Sequence, residues 1–301
     1  MRLSIVTATY NSGKTVEDTI KSVLSQTYKD YEYLIIDGMS KDNTLDIVHK
    51  YEPLFEGRMK VFSEKDKGIY DAMNKGFHRA TGDVLMLINS DDLFACPDAL
   101  ELVVKEFEEH PDVDGVYADL YYVSQNNIDN IVRVWKTGEQ KPMRKGWLPA
   151  HPTFYVKREC YEKYGYFNPF YPLAADFELM LRYIEGHGIK LTYLPEYLVK
   201  MRLGGATSKN LKNIYKQDVE TIRAFKENHL PGGNIMYLFW RYLPKIKQFF
   251  RKQESSAERA LSEENRIDVA YINLTGGGQI IVLWRLGFPG VQYPATFREA
   301  V

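Results

Sequence analysis

Leu3-Ser4-Ile5-Val6-Thr7-Ala8-Thr9 runs straight into Tyr10-Asn11-Ser12-Gly13. The first seven residues read as a short strand of the fully buried kind, and the next four are turn formers that stop it. A helix is expected to follow, with Thr15 and Asp18 at capping-box spacing and Val16, Ile20, Val23 and Leu24 along one face. Residues 33–36 read as a second strand, ending at Asp37-Gly38; a second helix starts near Ser40 and carries Leu45, Val48 and Tyr51. Residues 60–62 read as a third strand and 69–80 as a helix with Ile69, Ala72, Met73 and Gly76 on one side. Residues 84–88 are again a buried strand, ending in Asn89-Ser90-Asp91-Asp92. This alternation specifies an α/β fold, a mostly parallel sheet flanked by helices. Ligands collect at the carboxyl ends of the strands in such sheets. The polar residues fall there: Tyr10-Asn11, Asp37, Glu64 with Asp66, and Asp91-Asp92. One acidic strand end is ordinary solvation; four in succession point to a ligand.

Farther along, residues 98–109 read as an amphipathic helix, 113–118 as a strand and 121–135 as a hairpin around Asn126-Asn127. A helix over 174–185, a strand over 190–194 and a long helix over 208–226 follow, and 235–250 continues helically, interrupted at Pro244. The formal charge of -1 gives no global attraction to nucleic acid, and none is expected as a partner. Hydrophobic content of 45% and charged content of 26% are those of a globular chain, which excludes disordered and fibrous classes. Cys96 and Cys160 are too few for a disulfide framework and fit a reducing compartment. The opening residues are too short an apolar run for a signal peptide, and no stretch approaches the roughly 18 to 20 apolar residues of a spanning helix. The expected location is the cytoplasm, extending to the inner face of the cell membrane.

Five segments carry a resemblance. Residues 4–11 (Ser-Ile-Val-Thr-Ala-Thr-Tyr-Asn), 35–44, 66–76 (Asp-Lys-Gly-Ile-Tyr-Asp-Ala-Met-Asn-Lys-Gly), 80–83 and 87–92 (Leu-Ile-Asn-Ser-Asp-Asp) resemble the ordered motifs of family-2 glycosyltransferases. The resemblance covers about residues 1–207. It implies the GT-A fold and transfer of a sugar, with inversion, from a nucleotide diphosphate, here a hexose or N-acetylhexosamine from a UDP-sugar. It further implies a glycan or lipid-linked acceptor in cell-surface polysaccharide biosynthesis. The chain departs from the family at three places: Asn89 stands where an Asp is usual, Ala175 where a Glu is common, and Met73 where many members carry Arg.

The residues allow the same chemistry. A base is held by an aromatic face and an acceptor aimed at its edge, which Tyr10 and Asp37 supply; the resemblance places Ala8 beside them. The plain alternative is that Tyr10 packs under its loop and Asp37 caps a turn. A diphosphate leaves readily only when its growing charge is neutralised, and a hard cation, Mn2+ or Mg2+, on one or two carboxylates does this. Asp91 and Asp92 are the expected metal ligands, either being the direct one, with Asn89 left to ribose or phosphate. Inverting transfer also needs a carboxylate to take the acceptor's proton. Asp176, in the first turn of a helix, is the candidate base, and Glu178 is the second choice. Glu64 and Asp66 either meet the donor sugar or ribose, or form a salt-bridged loop. His151 either bonds phosphate or acceptor, or is a satisfied loop histidine. Arg202, ahead of Leu203-Gly204-Gly205, either closes over the diphosphate on a mobile loop or is an exposed Arg at a hinge.

Residues 235–252 interleave Met236, Phe239, Trp240, Phe249 and Phe250 with Arg241, Lys245, Lys247, Arg251 and Lys252, and contain no acid. Such a segment suits peripheral docking on an anionic lipid surface; a helix that closes the catalytic domain is the competing reading. The expected organisation is a catalytic domain over 1–207, a helical extension over 208–252 and an unassigned tail over 253–301 that reads as two short strands around Gly276-Gly277-Gly278. A nucleotidyltransferase and a non-catalytic nucleotide-sugar-binding protein are the alternative classes. The first needs a basic, Gly-rich loop after the first strand, which Asn11-Ser12-Gly13 does not provide.

Overall fold

The computed structural model describes residues 1–204, 211–234, 236–242, 269–274 and 278–283. In chain order the elements are β1 (Leu3–Thr9), α1 (Val16–Leu24), β2 (Tyr31–Asp37), α2 (Thr44–Tyr51), β3 (Met59–Ser63), α3 (Ile69–Arg79), β4 (Val84–Leu87), β5 (Leu93–Phe94) and α4 (Ala99–Glu109). Then come β6 (Gly115–Ser124), β7 (Asn127–Trp135), β8 (Tyr155–Lys157), α5 (Arg158–Tyr164), α6 (Ala175–Leu181), β9 (Leu191–Arg202), α7 (Leu211–Glu227), β10 (Val269–Leu274) and β11 (Gly278–Leu283). Residues 236–242 are helical. Contacts divide the chain into Met1–Gln248 and Phe249–Val301. The second unit contains the antiparallel pair β10–β11, the two strands expected there. The expected domain boundary at 207/208 and residues 243–252 lie outside the described residues.

The first unit is built on a nine-stranded mixed sheet in the order β3-β2-β1-β4-β8-β6-β9-β5, with β7 on β6. The expected parallel arrangement holds for β3-β2-β1-β4 and for β6 beside β9, whereas β8, β7 and β5 pair antiparallel. Strands β1 and β2 are buried along their whole length because helices cover both faces. One core lies under α1, α2 and α4; the other lies under α3 and α6 and takes in Ala224, Phe225 and Tyr237. Residues of α7 and 236–242 are thus packed on the sheet unit, with Phe177, Phe225 and Tyr237 in mutual ring contact at 5.0–5.9 Å. Gly76 lets α3 come down on the sheet: a Cβ there would meet Val6 Cγ1 at 2.3 Å.

The amino-terminal ends of β1, β2 and β4 are locked by Glu32. Its fully buried carboxylate accepts from Ser4 Oγ (2.7 Å), Thr81 N (2.6 Å), Thr81 Oγ1 (2.8 Å) and Lys60 Nζ (3.2 Å). Burial alone would raise its pKa, but these bonds outweigh burial and hold it below the ordinary Glu range. A folded-state pKa depressed in this way stabilises the fold at neutral pH, and the contribution is lost as pH falls through the folded value. Glu32→Gln is therefore expected to cost about 2–3 kcal/mol at neutral pH, by analogy with hydrogen bonds to charged groups. In urea unfolding the variant's deficit should shrink in acid; an equal deficit at both pH values would count against this assignment.

The fold corrects several local expectations. Thr15 and Asp18 form no capping box: Thr15 Oγ1 turns to Ser12 O, and Asp18 pairs with Arg202. Helix α2 begins at Thr44 because Asp42 Oδ1 accepts from Thr44 N and Oγ1. The strand 113–118 and the first arm of the hairpin are one strand, β6. Asp119, which looks like a break, is buried in mid-strand and accepts from Thr137 N (2.7 Å) and Tyr193 OH (2.9 and 3.0 Å). The helix expected over 174–185 stops at Leu181 and widens into a π-turn over Arg182–Gly186. There Arg182 reaches back to the carbonyls of Tyr164, Gly165 and Tyr166. Strand β9 runs eight residues past the expected end at residue 194, to Arg202.

Candidate functional site

Three groups of side chains lie along the carboxyl edge of the sheet. At the tips of β1 and β2, Tyr10 is 59% exposed. Its loop is fastened to the next one by Asn11, whose N donates to Ser40 Oγ and whose Oδ1 accepts from Lys41 N, both at 2.8 Å. Asp37 lies beneath the tip and is wholly buried. Its carboxylate accepts from Ser40 N (3.0 Å), Ser40 Oγ and Ser63 Oγ (2.7 Å), so its first task is to hold these loops. About four lone-pair positions exist on a carboxylate, which leaves little acceptor capacity for a base. A Cβ on Gly38 would lie 2.3 Å from Asp66 Oδ2 and 3.3 Å from Tyr10 Cδ2. The glycine thus lets a carboxylate and an aromatic edge border one spot. Glu64 is turned aside to Arg79 at 2.8 Å, and Ala8 is buried in the core.

The second group is the turn after β4. Asp92 is 1% exposed; Oδ1 accepts from Arg202 N (3.1 Å) and Oδ2 from Asn89 Nδ2 (2.9 Å). Burial, and then the adjacent Asp91 carboxylate, push the Asp92 carboxyl well above the usual range. Asp91 is half-buried, and its carbonyl accepts from Arg202 Nη1 at 2.8 Å. Arg202 is not on a loop: it ends β9, is 5% exposed and pairs with Asp18, so its guanidinium braces the acidic turn from below. Ser12 Oγ meets Ser90 Oγ at 2.8 Å, which joins this turn to the loop of Tyr10. A hard cation that bridges protein and phosphate oxygens needs one or two carboxylates, and Asp91-Asp92 offer that donor chemistry. Among the described residues, no three or more His, Cys, Asp or Glu side chains gather into a larger set.

The third group surrounds Asp176, in the first turn of α6 and 23% exposed at its side chain. Asp176 Oδ1 accepts from Tyr70 OH at 3.1 Å, and Oδ2 lies 3.5 Å from His151 Nδ1. His151 and Asp176 are thus brought together. The sequence reading gave no role to Tyr70, although it stands inside the quoted segment 66–76, in the first turn of α3 and four residues after Asp66. The turn His151–Thr153 packs on β4 and β6, and Thr153 Oγ1 bonds Ala118 O. Glu178 points elsewhere: it is buried against Arg182 (2.9 Å) and Asn228 (3.1 Å). Those residues line a polar hollow of about 460 Å³ with Tyr164, Tyr171 and Glu227. Positions two apart on a helix face opposite ways, so the hollow is not where Asp176 acts.

The chain is similar to known proteins. The profile of "Glycosyl transferase family 2" matches residues 4–167. A Mycobacterium bovis (strain BCG / Pasteur 1173P2) protein named "PGL/p-HBAD biosynthesis glycosyltransferase" is 25% identical over 250 residues, covering 81% of this chain and 91% of that protein. The structure of S. aureus TarS 1-349 in complex with UDP-GlcNAc superimposes with a TM-score of 0.58 at 17% identity, covering 81% of this chain and 73% of that one. The mannosyltransferase PcManGT from Pyrobaculum calidifontis, in complex with GDP-Man and Mn2+, gives 0.55 at 16% identity, covering 87% and 79%. At these identities the two structures speak for the fold, which is of the GT-A type.

Proposed function

The chain belongs to glycosyl transferase family 2, and from that premise we propose that it moves a hexose or N-acetylhexosamine from a UDP-sugar to a glycan or lipid-linked acceptor, with inversion. The observation that supports this most is Asp176, a partly exposed carboxylate whose Oδ1 accepts from Tyr70 OH and whose Oδ2 lies 3.5 Å from His151 Nδ1, at the same sheet margin as the Asn89–Asp92 turn. In this reading Tyr10, with Asp66 beside it and Asp37 beneath, holds the nucleoside. Ala8 floors the site, and Asn89, His151 and Glu64 stand at its margin. Asp91 is the direct ligand of Mn2+ or Mg2+, with Asp92 and Arg202 as its support. The cation, when bound, neutralises the departing diphosphate. Asp176 takes the proton of the acceptor hydroxyl as its oxygen attacks the anomeric carbon. The carbon–oxygen bond to phosphate breaks on the opposite face, and the nucleoside diphosphate leaves with that bond's electrons.

A biosynthetic glycosyltransferase role draws support from the mycobacterial relative's name, and a uridine donor from the UDP-GlcNAc bound by TarS; the GDP-Man complex keeps guanosine donors in the test. Residues 1–207 are the proposed catalytic domain and 208–252 an extension toward a lipid surface. Met236, Phe239 and Trp240 are exposed on it, and no helix among the described residues is long and apolar enough to cross a membrane. Residues 253–301 have no assigned role.

Incubation with UDP- and GDP-sugars plus Mn2+ and acceptor lipid should release UDP from one donor. Donor binding without release from any of them would instead mark a non-catalytic binding protein. The chain should also sediment with anionic but not neutral vesicles, and Phe239→Ser with Trp240→Ser should weaken this. Equal recovery with both vesicle types would remove the lipid contact from the proposal.

A further inference from the structure

Asp176 is held by more than its own helix. Tyr70 OH donates to Oδ1, and the Tyr70 ring lies on Phe167 with centroids 5.5 Å apart. Phe167 is pinned by Asn74, one turn farther along α3. Asn74 Nδ2 donates to Phe167 O at 2.8 Å, and Asn74 Oδ1 accepts from Phe167 N at 3.0 Å. Residues four apart on a helix share a face, so Tyr70 and Asn74 together clamp the segment against which the tyrosine ring rests. The phenol cannot swing away without losing its contact with Phe167. Three elements face the site with titratable groups: Tyr70 from α3, His151 from its turn against β4, and Glu220 from α7 behind Tyr70. Burial, then the Asp176 carboxylate and more weakly Glu220, keep the phenol protonated far above its ordinary range. It is therefore a donor at every working pH.

We propose that Tyr70, with Asn74 and Phe167 as its mount, is the positioning residue for the catalytic carboxylate. It occupies Oδ1 of Asp176 and leaves Oδ2, beside His151, as the oxygen that takes the acceptor's proton. The inference rests on the reading of Asp176 as base.

Tyr70→Phe keeps the ring on Phe167 and removes only the hydroxyl. Turnover should fall about tenfold, the lower value for a lost bond to a charged group, with donor KM unchanged. That fall in kcat should persist in a His151→Asn background, which separates the tyrosine's part from the histidine's. Asn74→Ala, which frees the mount but keeps the hydroxyl, should lower kcat by less, again with donor KM unchanged, and it serves as the reading if Tyr70→Phe folds poorly. A tyrosine with a merely structural role would lower the melting temperature and leave the kcat of the folded enzyme where it was. An unchanged kcat in both variants overturns the proposal provided Asp176→Asn is inactive. If Asp176→Asn is active, it is the base assignment that fails instead.

Discussion

Replacing Asp176 by Asn should lower kcat by about 10²- to 10⁴-fold, the range a positioned general base contributes, while the donor binds as before. The amide is isosteric with the carboxylate and can still accept from Tyr70 OH through its carbonyl oxygen. With its shape and the bond from Tyr70 OH kept, the fold should be retained. What is lost is the lone pair that takes the proton. The donor should keep its affinity because the nucleoside corner at Tyr10, Gly38 and Asp66 belongs to other strand tips. Calorimetric donor titration alongside initial rates of diphosphate release measures both halves. Asp176→Glu is a useful companion: it restores a carboxylate about one methylene farther out, and misplacement on this scale lowers rate without removing the base. Turnover by the Asn variant within about tenfold of wild type would exclude Asp176 as the base, since a positioned base is worth more than that.

The parts of this chain that were legible in sequence share one property: their signal is local. The buried runs of β1, β2 and β4 and the apolar faces of α1, α3 and α4 are written within single elements, and their order alone brings the acidic tips to one edge. What escaped depends on partners far away in the chain. Asp18 looks like a helix-capping residue until Arg202, 184 residues on, claims it. Tyr70 looks like one more aromatic in an amphipathic helix until Asp176, 106 residues on, turns toward it. Asp119 reads as the end of a strand because a carboxylate in a buried run is costly, and only Tyr193 and Thr137 make it tolerable. Asp37 stood at the right strand end, but no local pattern says whether such a carboxylate faces outward or is consumed, as here, by Ser40 and Ser63.

Arg202→Met should destabilise the chain by about 3 kcal/mol, the low end for breaking a buried ion pair, and should raise the Mn2+ concentration needed for half-maximal activity. Two roles for this arginine make opposite forecasts. A guanidinium on a mobile loop that closes over the diphosphate contributes nothing to the resting fold, so its loss would raise donor KM and leave the unfolding midpoint alone. A guanidinium 5% exposed at the end of β9, bonded to Asp18 and to the Asp91 carbonyl, is part of the resting fold. The low end of the range applies because Asp18 is 40% exposed at its side chain and can recover water when its partner goes. The turn is harder hit. The Arg202 backbone N would still donate to Asp92, but the Asp91 carbonyl would lose its charged donor, and the carboxylate ahead of it would no longer be held in place. Arg202→Lys should recover little, because one ammonium cannot reach both Asp18 and the Asp91 carbonyl as the two-pronged guanidinium does. Asp18→Asn should destabilise by a comparable amount, since it leaves a buried cation unpaired. The double variant should then cost less than the sum of the two singles. Urea unfolding of the four proteins, with Mn2+ titrations of activity, decides the matter: an unchanged midpoint in Arg202→Met together with a raised donor KM would return the residue to the loop role.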